Sequence, residues 1–200
     1  MIDYKPLQDF KEGIDVNVQG FLRISEQETG KILLNRHNDI HYENMSLAIA
    51  QAMGRRPRHG IKELCLGNGG VKVNAANEFI YTSPQTIGSS ASLHNQTYSK
   101  VVDDLNVDEN DDPTANYMEV QHITGNYYTD LLIRCTLGKN EPAAQNTSYT
   151  NTEIVSDYSF SEVGLKTYNG DLITHLVFSP VYKQASITLV FDYLLRFQIV

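Results

Sequence analysis

The stretch Ile187–Phe197, ITLVFDYLLRF, decides the fold class. Its odd positions, Ile187, Leu189, Phe191, Tyr193, Leu195 and Phe197, are all apolar or aromatic. Its even positions mix Thr188, Val190, Asp192, Leu194 and Arg196. A period of two marks a strand, here with one wholly apolar face. The other face is only half polar, and the chain runs on into Ile199 and Val200. Such a strand needs cover on both sides, from a helix of its own chain or from a neighbouring subunit.

Working outward, YSFSEVGLK and LITHLVFS flank TYNGD, which reads as a hairpin around Asn169 and Gly170. Farther back, FLRISEQ and KILLNRH flank ETG, a hairpin from Phe21 to His37 whose Gly30 supplies positive φ. Next, Tyr42, Met45, Ile49, Ala52 and Met53 fall on one helical stripe. They predict a short amphipathic helix near residues 40–53, capped by Asp39 or Asn44. Gly54 should close it in the left-handed conformation, ahead of Arg55, Arg56 and Pro57. From Ile61 onward, short extended runs such as IKELCL, NQTYSKVV and YYTDLLIRCTL alternate with polar stretches. The expected fold is mainly β, an antiparallel sandwich or sheet core with one short helix and long polar loops. Residues 1–60 form a hairpin-plus-helix region and residues 61–200 a β-rich core and assembly region, together one compact unit. Of the polar loops, VDDLNVDENDDPTAN is too acidic and too poor in apolar side chains to be ordered by burial.

Sixteen Lys and Arg against 24 Asp and Glu give a net charge of −8, which repels phosphate backbones and argues against a general nucleic-acid binder. No run approaches the roughly 20 apolar residues of a membrane span, and MIDYKPLQDFKEG lacks the regions of a signal peptide. A soluble chain with no membrane partner, made in the cytoplasm, is expected. Cys65 and Cys135 each sit in an apolar run and should pack as small hydrophobes.

Several constellations invite chemistry and fall short of it. His37 and His41 have zinc-ligand spacing but lack the intervening Glu of a metalloprotease helix. Asp104, Asn106, Asp108 and Asn110 alternate as calcium ligands do, yet the Gly and Glu of an EF-hand loop are replaced by Glu109 and Ala115. GNGG at residues 67–70 is not followed by the Lys-Ser/Thr or helix of a phosphate loop, so it reads as a tight β turn. The basic cluster Arg55, Arg56, Arg58 and His59 is small against a net charge of −8 and suits a helix end or a partner's carboxylates. A pair among Asp103, Asp104, Asp108 and Glu109 would suit a glycosidase only in a rigid cleft. No catalytic residue, metal or cofactor is therefore expected. The other class left open is a calcium-dependent glycan-binding β-sandwich module, motivated by twelve tyrosines and the acidic loop.

Three segments carry a family resemblance. GFLRISEQETGKILLNRHNDIHYENMSLAIAQAM resembles an opening module of tailed-bacteriophage virion proteins, matching through Thr29, Gly30, His37 and Asn38. IKELCLGNGG, followed at a distance by LHNQTYSKVVDDLNV, is similar to the amino-terminal, baseplate-attaching part of phage tail fibres. FSEVGLKTYNGDLITHLVFSPVYK looks like that family's hairpin through Glu162, Gly164, Leu165, Gly170, Asp171, Leu172, Ile173, Pro180 and Lys183. A fibre would continue into a shaft and a receptor-binding tip, whereas this sequence stops at Val200. The resemblance thus implies a non-enzymatic virion protein, an oligomeric adaptor at the neck or collar or at the baseplate and tail-fibre joint. Its partners would be copies of itself and other neck, tail, baseplate or fibre proteins, and its location the virion. The assembly candidates are Glu162, Gly164, Leu165, Gly170, Leu172, Pro180, Lys183 and, on the half-polar flank of the last strand, Leu194.

Overall fold

Two hairpins and the last strand carry the architecture. The computed structural model describes residues 13, 15–57, 60–88, 90–142 and 159–200. Their elements run β1 (Val16–Glu26), β2 (Ile32–Ile40), α1 (Tyr42–Met53), β3 (Ile61–Gly67), β4 (Val71–Val73), β5 (Phe79–Tyr81), β6 (Gln96–Val101), β7 (Tyr117–His122), β8 (Tyr128–Leu137), β9 (Ser159–Thr167), β10 (Leu172–Tyr182) and β11 (Leu189–Ile199). Nine strands form one antiparallel sheet in the order β6-β3-β9-β10-β2-β1-β11-β8-β7, and β4 pairs only with β5. The expected mainly β, antiparallel core with one short helix is what the chain adopts.

The sheet closes on itself through side chains. Lys100 on edge strand β6 donates to Thr136 O at 3.0 Å and to both carboxylate oxygens of Glu141, while Tyr98 donates to Glu141 at 2.6 Å. The concave face thereby encloses a core that includes Leu22, Ile24, Leu64, Leu66, Ile133, Phe178, Phe191 and Tyr193, all fully buried. The first hairpin lies between β10 and β11, so β1 and β2 contribute the middle of the same sheet. Asn38 packs over Gly20, where a Cβ would stand 1.6 Å from Asn38 Oδ1.

Strand β11 pairs along its length with β1 and β8, and Leu189, Phe191, Tyr193 and Leu195 point into the core. Its even face differs from expectation. Asp192 bridges Arg23 at 2.6 Å and Arg134 at 2.7 Å, and Arg196 makes a bidentate pair with Asp130. Burial pushes the Asp192 carboxyl up, but the two guanidiniums outweigh it and hold it below the ordinary range. A cross-strand ladder of opposite charges occupies the polar positions of this flank. Leu194, aligned with Phe21 and Leu132, is its half-buried apolar row.

The helix spans Tyr42–Met53 as predicted, but His41 is its cap: His41 Nδ1 accepts the Asn44 amide at 3.2 Å. Gly54 has φ −77°, and the left-handed residue is Arg55 at φ 51°. Within the apolar stripe Met45 is buried, while Tyr42 and Met53 are 74 and 85 % exposed. Between β6 and β7 the acidic loop is organised by amides. Buried Asn110 donates to Asp103 O and Asn116 O, and Asn116 accepts from the Thr136 amide at 2.8 Å. Arg58, His59 and residues 143–158 lie outside the described residues.

Candidate functional site

The outer face of β3, β9 and β10 is covered by the chain's own excursion through residues 68–95, and that cover is fastened at Glu162. Its side chain is fully buried. Oε1 accepts the amides of Gly69 at 3.0 Å and Asn95 at 2.7 Å. Oε2 accepts the His94 amide at 2.8 Å and faces His175 Nε2 at 3.0 Å. Desolvation raises the Glu162 pKa, but its hydrogen bonds from His175 and from the Asn95 and His94 amides prevail, and the net direction is downward. A buried carboxylate is tolerable because its lone pairs are used.

The glycine turn now has a physical reason. A Cβ on Gly67 would lie 2.4 Å from Asn95 O, and one on Gly69 would lie 2.7 Å from Glu162 Oε1. GNGG does bring backbone N–H to an anion, as a phosphate loop does, but the anion is a side chain of the same protein. The segments GNGG, LHN and EVGL, far apart in sequence, meet at this one carboxylate. Gly164 extends the pattern, since a Cβ there would strike Thr174 O at 2.5 Å.

His94, Glu162 and His175 place donor atoms within 4.8 Å of one another, and among the described residues they are the one such group of His, Cys, Asp and Glu. Their hydrogen bonds do not suit a metal ion. His175 Nδ1 accepts the Gln85 amide at 2.9 Å, so the ring proton sits on Nε2 and is directed at Glu162. A metal at that position would need the lone pair which Nε2 lacks in this tautomer. His94 Nε2 meets Ser83 O at 3.1 Å, and His41 Nε2 meets Gly88 O at 3.0 Å. In this clasp His175 and His41 thus tie residues 85–88 to the body, and His94 braces the excursion from within.

The remaining candidates are placed as follows. Leu165 is in the main core, and Leu172 packs with Cys65 and Leu93 beneath the excursion. Gly170 turns the β9–β10 hairpin at φ 86°. Pro180 lies where the β10 register shifts between Val177 and Val181, a position that does not need its missing N–H. Lys183 is buried with Nζ on Gln184 O at 3.0 Å, and burial lowers its pKa against the pull of Glu141 and Glu28. His37 stacks on Phe21 at 4.0 Å on the outer face, away from buried His41, so the two do not meet as ligands. The alternate oxygens of the acidic loop also diverge: Asp104 accepts the Met118 amide, Asn106 donates to Tyr168, and Asn110 bonds within the loop. Burial pushes both cysteine thiols up and leaves them protonated.

A second region has the opposite character. At the end of the sheet where Val16 pairs with Ile199, and where Tyr127 accepts the Ile199 amide, many of the exposed side chains are apolar. Val16, Val120, Ile123, Tyr127 and Val200 all stand largely in the open, with Leu105 88 % exposed. Helix α1 lies across this end, and an apolar cleft of about 520 Å3 opens between it and β7. Sequence reasoning missed both the β7 strand and this cleft.

Comparison with protein-family models, with curated proteins and with solved structures finds no match to this chain. Among the described residues no helix is long and apolar enough to cross a membrane.

Proposed function

We propose that this chain is a non-enzymatic structural protein of a tailed-phage particle, an oligomeric adaptor at the neck or collar or at the baseplate and fibre joint. The observation that carries the reading is the apolar end. Val16, Tyr42, Met53, Leu105 and Val120 stand exposed around α1 at this end of the sheet. A contiguous apolar surface of this kind is what neighbouring proteins complete in an assembly.

The clasp supports the same reading. Glu162, His94 and His175 spend their hydrogen-bonding capacity on holding the excursion in place, and rigidity is what a joint between other proteins requires. The segments that resemble phage virion proteins are the ones that build this clasp. Two measurements test the proposal. Light scattering after size exclusion should give a mass above that of one chain, and mass spectrometry of washed particles should find the protein. A monomer that is absent from particles overturns it.

A further inference from the structure

The cleft at the apolar end has a definite chemistry. Its helix side presents Met45 and Met53 from α1, and its strand side presents Met118 and Val120 from β7. The chain has four methionines, so every one except Met1 faces this space. Methionine is flexible and polarisable, and surfaces rich in it adapt to the apolar face of an amphipathic helix. The charged residues lining the cleft are Asp103 and Asp104.

Both carboxylates are held by neutral dipoles. Asp103 accepts the Tyr168 hydroxyl at 2.8 Å and the Leu105 amide at 3.0 Å, and Asp104 accepts the Met118 amide at 3.4 Å. Neither makes a salt bridge among the described residues. Beyond them the loop continues with Asp108, Glu109, Asp111 and Asp112, and Lys62 pairs with Glu109. The two charges on an otherwise apolar lining are therefore both negative.

From this we infer that the cleft between α1 and β7 receives an amphipathic helix of another protein, with apolar side chains on the methionines and Lys or Arg beside Asp103 and Asp104. Charge complementarity at Asp103 and Asp104 selects an occupant that brings Lys or Arg to that edge of the cleft. It rests on the adaptor reading for where the partner comes from, and deepens it by giving the partner's chemistry.

The test uses the full chain carrying carbon-13 methionine methyls, with a short Leu/Lys peptide of helical apolar spacing as probe. Adding it should shift the methyl signals of Met45, Met53 and Met118 and leave Met1 in place. A Leu/Glu peptide of the same spacing should shift none, and Asp103→Asn with Asp104→Asn should weaken Leu/Lys binding about tenfold. The double variant retains acceptors for Tyr168 and Met118, and its unbound methyl spectrum reports whether it is folded. Should it unfold, Val120→Glu at the exposed rim should perturb the same binding. Cleft methyls that stay still, or that answer both peptides equally, overturn the inference. So do cleft signals that move on dilution of the protein alone, which would make a second copy the occupant. So do signals that move in Leu7→Asp with Phe10→Asp, which would make the occupant a segment of this chain. If the protein is missing from particles while the cleft still takes the Leu/Lys peptide, the adaptor reading fails and the cleft's chemistry stands.

Discussion

The clasp on the outer face of β3, β9 and β10 and the cleft beneath α1 are two solutions to one problem, an open surface on a curled sheet. At the clasp the chain covers itself, and the cover is specific: a buried carboxylate, three amides, a histidine and glycines placed where no Cβ fits. At the cleft the lining, apart from Asp103 and Asp104, is apolar and rich in methionine, and the cover is left open. The difference teaches where the fold spends its precision. Directional polar chemistry has fixed one face, and what remains at the other is non-directional apolar surface, which adapts to a partner.

The largest break in that contrast should come from Glu162→Leu. It strands the amides of Gly69, His94 and Asn95 without an acceptor, and should cost about 3–5 kcal/mol in chemical denaturation. A loss under 1 kcal/mol would mean that the excursion is held by packing alone. The same carboxylate gives a pH signature. Its folded pKa lies below the ordinary value, so its stabilisation is complete above the unfolded pKa of about 4.3 and is lost as pH falls through the folded one. The gap in melting temperature between the native chain and Glu162→Gln should be constant near neutrality and close below about pH 4. A gap that does not narrow at all between about pH 6 and about pH 2 would contradict the ionised clasp.

Gly67→Ala comes next. Its Cβ would meet the backbone oxygen of Asn95, which cannot swing aside as a side-chain tip can. About 1–3 kcal/mol should be lost, measured by the denaturation midpoint. A neutral result would show that the turn and the 93–95 segment can separate without harm. His41→Ala probes the link between the two regions, because His41 both caps α1 and reaches Gly88 in the excursion. About 1–2 kcal/mol is expected, with amide exchange quickened in both α1 and residues 85–88. Faster exchange in the helix alone would show that the two regions are uncoupled.

What could be read in the sequence was local. The hairpin at Gly30, the hairpin at Gly170 and the alternation of β11 each lie within one short window, where period and turn residues speak directly. Glu162, Gly164 and Gly170 stood out as motif residues, but their partners were out of reach: Glu162 meets Gly69 and His94 across 93 and 68 positions. No periodicity encodes such a meeting. The helix end was misread for a related reason, since His41 serves as cap only because its ring is buried and oriented by Gly88 from another segment. The even face of β11 looked unfinished because Arg23, Asp130 and Arg134, which complete its charges, come from β1 and β8. Strand β7, mostly exposed and little more than a hairpin partner for β8, carries too weak a pattern to stand out.

The smallest effect should separate the regions most cleanly. Val120 is 70 % exposed on the edge strand β7, at the mouth of the cleft. Replacing a largely solvated side chain far from any buried hydrogen bond changes stability by about 0.5 kcal/mol or less, so Val120→Lys should leave the denaturation midpoint nearly unchanged. If this end is a surface awaiting a partner, the same variant should still reduce association, because a lysine there must be desolvated when the cleft is covered. Stability and association therefore move together for Glu162→Leu and apart for Val120→Lys. A marked stability loss in Val120→Lys would mean that β7 packs against something within the chain, and the cleft would then belong with the clasp as a face the protein closes for itself.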